Sequence, residues 1–287
     1  MTALTASSPP VPPAPPVPPS PPRTAPDRLR WAVADGWTVA RRDLIHWLRN
    51  PSVIAYQLLW PIMMVLMFGY VFGSAMVVAG GGDYREFLMP GMFGQAMMFG
   101  VATTLTAVST DASYGVTDRF RSMPMSSSGV VLGRSLADLI NSVLELAILV
   151  GCGLVVGWRW NQGPVRALAA VGLLLLLRFA LIWVGILVGL MIRPEAAAAA
   201  WAPLFPLTMV ANTFVSPEQM PGWMGAIAAW NPLSATVAAC RELFGNPGMG
   251  GDSWAAQHPI LLAVLWPLAL VAVFLPLSVR RFRRLDR

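Results

Sequence analysis

The chain has no lysine, and all twenty of its basic residues are arginine. The phosphate-binding lysine of a Walker A loop is therefore missing, so any ATP hydrolysis belongs to a separate polypeptide. Charge of either sign is scarce: 12% of residues are charged against 56% hydrophobic, outside the range of soluble domains. Histidine is limited to His46 and His258, and neither an H-E-x-x-H helix nor a G-x-S-x-G nucleophile turn occurs. These absences disfavour an intramembrane enzyme, and the chain reads as non-catalytic. Cys152 lies in an apolar run and Cys240 in a loop, too few and too differently placed for a disulfide framework or a zinc site. No polar stretch is long enough to fold as a basic domain, so the formal charge of +6 does not signal nucleic acid.

What is present is a series of nearly charge-free stretches of about twenty residues, each long enough to cross a hydrocarbon core of about 30 Å as a helix. Six spans are expected, at 53–73, 89–110, 135–156, 167–191, 196–215 and 259–279. An even number returns both termini to one side. Arginines of the N-terminal segment, of positions 119 to 134, of 193 and of the C-terminal tail then share a face, leaving Arg85, Arg159, Arg166 and Arg241 opposite. The positive-inside bias puts both termini in the cytoplasm of a multi-pass protein. Exclusive arginine use with abundant alanine and glycine points to a high-GC bacterium, and so to a bacterial inner membrane.

Residues 1–26 are proline-rich and are expected to form a disordered cytoplasmic tail, without the basic start and compact apolar centre of a secretory signal. Over 27–50, Leu29, Val33, Trp37, Ala40, Leu44 and Trp47 recur every three or four positions, with Arg30, Arg41, Arg42 and Arg49 between them. This pattern predicts an amphipathic helix lying among membrane lipid headgroups. Residues 51–280 form the six-span domain, and 281–287 a basic cytoplasmic tail.

Between the second and third spans runs Asp118-Arg119-Phe120-Arg121-Ser122-Met123-Pro124. An apolar pair flanked by arginines suits a groove on a cytoplasmic partner, with the proline ending a short helix; a plain positive-inside loop has the same composition. This segment resembles the coupling helix of the second type of ATP-binding-cassette exporter permease, particularly the daunorubicin-resistance branch, although relatives often carry glutamate where Asp118 stands. The resemblance covers nearly the whole chain. It implies that Asp118 to Pro124 transmit closure of an ATP-binding cassette ATPase subunit, which carries the ATP and magnesium. It also implies a second permease, identical or related, beside this one.

Two more segments matter. Between the fifth and sixth spans, Phe214-Val215-Ser216-Pro217, Pro221-Gly222-Trp223 and Asn231-Pro232-Leu233 resemble the family's re-entrant outer hairpin; an ordinary external loop also fits helix-breaking residues beside interfacial tryptophans. On the third span Asp138, Asn141 and Glu145 share one helical face. Glu145 and, on the fourth span, Arg178 both reach about 15 Å into the membrane at 1.5 Å per residue, which predicts an ion pair, either a structural clamp or part of substrate recognition.

Met63, Met67, Met98, Phe99, Trp201, Phe205 and Met209 offer an adaptable apolar surface, equally suited to packing or lipid contact. In the resembling family the first, second and fifth spans line the export route, which implies a lipophilic substrate. The expected fold is an all-α integral membrane protein of six transmembrane helices, with an interfacial helix before them and a re-entrant hairpin before the last. The expected function is the permease half of an exporter of hydrophobic drugs, antibiotics or lipid-like molecules. An ion-coupled transporter or channel using Asp138, Glu145 and Arg178 is the alternative, and a non-transporting anchor subunit is a third.

Overall fold

A computed structural model describes residues 37, 41, 45, 49–71, 82–114, 127–215, 217, 220–248, 251 and 253–284. Every regular element among them is helical: α1 Pro51–Leu66, continued by a π-helical turn Met67–Val71, α2 Tyr84–Ser113, α3 Ser127–Val156, α4 Pro164–Gly189, α5 Pro194–Ala198, α6 Trp201–Met209, α7 Gly222–Trp230, α8 Pro232–Phe244, α9 Trp254–Gln257 and α10 Pro259–Arg284. The expected tail and the segment Asp118 to Pro124 lie outside the described residues. Of the expected interfacial helix, Trp37, Arg41, Ile45, Arg49 and Asn50 are described; the first four are helical, spaced by four and exposed, and Asn50 lies outside the helix.

Among the described residues four helices are long and apolar enough to cross a membrane: α2, α3, α4 and α10. Their order of hydropathy is not their order of burial. The most apolar 18-residue window of α2 has a mean hydropathy of only 1.2 and is 83% buried, whereas that of α10 reaches 2.7 and is 17% buried. Protein neighbours cover α2, so it tolerates polar side chains, while α10 presents its leucines and valines outward as a lipid-facing helix does. The central helix α4 packs chiefly on α2 and α10. Its close approach to α2 depends on glycine: a Cβ at Gly189 would meet the Leu105 carbonyl at 2.7 Å.

The main core joins α2, α3, α4 and α8 around Trp158, which is fully buried. Phe93 and Phe244 meet its ring edge-on at 5.2 and 5.0 Å, and its indole N–H donates to Asn246 Oδ1 at 2.8 Å. This cluster pins the turn between α3 and α4 to the end of α8.

The segment expected as a fifth span is broken. It consists of α5, α6 and an irregular stretch over 210–215, and α6 with nine residues spans only about 14 Å. Pro203 and Pro206 withhold backbone N–H groups, and the chain leaves the helix at Val210. The freed carbonyls find partners on α8. Asn231 Nδ2 donates to the carbonyls of Leu207 and Val210 at 3.4 and 3.1 Å. Arg241 donates to those of Asn212 and Thr213 at 2.9 and 3.0 Å, and also to Phe87 at 3.0 Å. The helix break is therefore stitched to the face of α8 that carries Asn231, Ser234 and Arg241, which is the condition for irregular backbone at membrane depth.

Candidate functional site

The polar side chains of the bundle form a ladder that starts beside the connection between α2 and α3. Arg134, two turns into α3, places Nη1 2.7 Å from Asp111 Oδ2 in the last turn of α2. Its Nε faces Asp138 Oδ1 at 3.4 Å, one turn deeper. Asp138 Oδ2 accepts from the hydroxyl of Thr104 at 2.7 Å. Thr104 in turn accepts from Nη2 of Arg178 at 2.9 Å. Arg178 Nε donates to Ser142 Oγ at 2.8 Å, and that hydroxyl donates to the Asp138 carbonyl at 2.7 Å. Three spans, α2, α3 and α4, are thereby joined through one carboxylate and two hydroxyls.

Burial makes the ladder consequential. Thr104, Asp138, Ser142 and Arg178 are all nearly inaccessible. A charge at this depth without partners costs about 3 kcal/mol or more. Gly100 makes room for the guanidinium: a Cβ there would lie 2.6 Å from Arg178 Cζ. One nitrogen, Arg178 Nη1, has no hydrogen-bond partner among the described residues.

The stripe read from the sequence is present, with Asp138 and Glu145 buried and Asn141 half-buried on α3. The hydrogen bonds of Arg178 go to hydroxyls. Thr104 and Ser142 were not singled out in the sequence, because a threonine or serine in a span usually bonds its own helix backbone. Their only sequence signal is position, with Ser142 one turn after Asp138 and Thr104 one turn after Gly100.

The residues expected along an export route divide by location. Met63 on α1 and Trp201 and Phe205 on α6 are exposed, Met67, Met98 and Met209 half-buried. Phe99 of α2 is buried beneath Trp201, with ring centroids 5.2 Å apart. Gln95, one turn before Phe99, donates to Thr208 at 3.3 Å and ties α2 to α6.

Arg85, Arg159 and Arg241, assigned by charge bias to the far face, cap backbone carbonyls near one end of the bundle. Arg85 bonds Gly69 in the π-helical turn and Val156 at the end of α3, at 3.1 and 3.2 Å. Arg159 bonds the Leu154 carbonyl at 2.7 Å.

Comparison with known proteins agrees with this architecture. The family model described as ABC-2 type transporter matches residues 35–244, a stretch that contains the whole ladder and both Asn231 and Arg241. The daunorubicin resistance ABC transporter permease protein DrrB1 of Streptomyces coeruleorubidus is 35% identical over 254 residues, covering 88% of this chain and 87% of its own. The probable doxorubicin resistance permease DrrC of Mycobacterium tuberculosis is 22% identical over 89% of this chain and 93% of its own. DrrB of the same organism is 26% identical over 71% and 70%. The chain accordingly belongs to the ABC-2 type transporter family, as a membrane permease.

Proposed function

We propose that the chain is the membrane subunit of an ATP-driven exporter of amphiphilic drugs, working with a separate ATP-binding cassette ATPase that carries ATP and magnesium. The relatives' names specify daunorubicin and doxorubicin resistance, and this chain takes cargo of that bulky, largely apolar kind. The observation that carries the mechanism is the position of the ladder. Asp111 and Arg134 close the base of the connection that holds Asp118 to Pro124, and the chain of contacts continues from there to Arg178. Arg119 and Arg121 bind the rim of the ATPase, Phe120 and Met123 fill its groove, and Pro124 fixes the turn. ATPase closure then moves α2 and α3 as one unit, and the Thr104 to Arg178 contact carries the displacement to α4.

Two such permeases, identical or related, form the path by alternating access. Met63, Met67, Met98, Phe99, Trp201, Phe205 and Met209 line it. Glu145 supplies the second carboxylate for Arg178, taking its unpartnered Nη1 in one state of the cycle.

The topology that fits is six crossings in the bacterial inner membrane with cytoplasmic termini. α1 with its π turn makes the first crossing, and the broken segment of α5 and α6 the fifth. α7 and α8, at nine and thirteen residues, span only about 14 and 20 Å. Each is too short to cross, so together they enter and return as a re-entrant hairpin.

The test is co-purification with the ATPase followed by export from proteoliposomes. Phe120→Ala with Met123→Ala should lose stimulated ATPase activity and ATP-dependent efflux. Undiminished efflux without any ATPase would instead identify an ion-coupled transporter using the buried carboxylates Asp138 and Glu145.

A further inference from the structure

In the topology proposed above, α1 runs towards the outer face, and its last described turn, Met67–Val71, is π-helical. A π turn bends a helix and alters its hydrogen-bond ladder, and such turns are frequent at functional sites. Met67, one of the residues placed along the export route, opens this turn, so a bend here moves a wall of the route.

One side chain clasps the turn. Arg85, in the first turn of α2, donates from Nε to the Gly69 carbonyl at 3.1 Å and from Nη1 to the Val156 carbonyl at 3.2 Å. Val156 is the last residue of α3, so its carbonyl has no acceptor role within the helix, and the cation meets the negative end of the helix dipole. Arg85 Cζ also lies 5.1 Å from the centre of the Tyr70 ring, within cation–π range. Beneath the clasp the two helices touch: a Cβ at Gly69 would meet Val156 Cγ1 at 2.9 Å. Elsewhere on the turn Phe68 meets Phe214 of the broken fifth segment, with ring centroids 4.7 Å apart. That segment is fixed, because Arg241 bonds the neighbouring Thr213 carbonyl together with Phe87 of α2. The π turn is therefore the part that can yield.

Arg85 is also suited to release. Arg241 is 1% exposed, where water has no access to replace its bonds. Arg85 is half-buried, so water takes over both carbonyls when they part, and the net cost of each lost bond is small.

We infer that Arg85 is the clasp of an outer gate. With its two bonds made, the π turn seals α1 against α3 and Phe214; their release lets α1 bend at Met67 and parts Phe68 from Phe214, opening the route to the outside. The inference rests on the export reading above and adds to it the place where the route closes.

The full chain is studied with its ATPase in right-side-out vesicles loaded with ATP and doxorubicin, in a background of Cys152→Ala and Cys240→Ala. Gly69→Cys with Val156→Cys places two thiols at a contact within reach of a disulfide. A contact that never parts tolerates the crosslink, whereas a gate does not. Efflux should be lost on oxidation and return on reduction, and equal efflux in the two forms overturns the assignment. A second measurement needs no ATPase. Met67→Cys in the same background is labelled from the outer side by a membrane-impermeant maleimide, and Arg85→Gln should raise the labelling rate about fivefold, the scale of one net hydrogen bond. Monodisperse elution in detergent shows that the variant is folded. An unchanged rate overturns the clasp even where the double-cysteine variant is inactive when reduced. Absence of ATP-dependent efflux in the unmutated chain removes the export reading instead, and the labelling rate still decides the clasp.

Discussion

Arg134 of α3 and Asp111 of α2 meet at 2.7 Å, closing the base of the connection between the two helices. The same arginine faces Asp138 one turn deeper, so a partly exposed pair at the end of the bundle is continuous with buried charges inside it. The pair is only partly exposed, and in the mechanism proposed above its part is transmission. Arg134→Ala takes a cation from beside the buried Asp138 and should lower the unfolding temperature modestly, leaving ATPase binding intact while lowering ATP-driven efflux. Exchanging the charges, Asp111→Arg with Arg134→Asp, places a carboxylate beside Asp138 and should not restore efflux, which separates the ladder from an isolated surface pair.

Thr104 accepts from Arg178 and donates to Asp138, so its hydroxyl serves both charges. Thr104→Val retains the shape and removes both bonds, at a cost of about 1–3 kcal/mol for each buried group left unsatisfied. Thr104→Ser should preserve stability to within about 1 kcal/mol. Thermal unfolding in detergent distinguishes the two variants.

Gly100 lies directly beneath the Arg178 guanidinium. Gly100→Ala should destabilise the protein by about 1–3 kcal/mol, because the guanidinium is held by Ser142 and Thr104 and cannot yield without losing a bond. An unchanged unfolding temperature would show that Arg178 has room to move.

Arg241 offers its fork to three carbonyls, two of them released by the break after α6. Lysine carries the charge without the fork, so Arg241→Lys should strand at least one carbonyl and lower stability by about 1–3 kcal/mol. Expression and monodispersity in detergent report the outcome.

Glu145 and Arg178 are proposed as partners during the transport cycle. Glu145→Arg alone should abolish expression, since it buries two positive charges near one another. Adding Arg178→Glu should recover it, and failure to recover would remove the direct pairing.

Several features were readable from residue order alone. Twenty-residue apolar stretches determined the long helices, because a bilayer core of about 30 Å leaves no other use for them. The absence of lysine left the chain without the phosphate-binding residue of a Walker A loop, and the three-and-four spacing of Asp138, Asn141 and Glu145 determined a polar face on α3. Helix-breaking residues over 217–232 marked the connection before the last span, whereas the break after Met209 falls inside a stretch expected to cross. Tertiary structure decided which groups complete one another. Thr104 and Arg178 are 74 positions apart and Phe87 and Arg241 are 154 apart, separations over which periodicity carries no information. Packing also decided that the least apolar of the four long helices, α2, is the most buried, and that Arg241, assigned by charge bias to the far face, bonds carbonyls at the broken helix. Hydrogen-bond partners in a membrane core are set by which helices lie side by side, and that depends on glycine contacts such as Gly189 against Leu105, not on the character of any one segment.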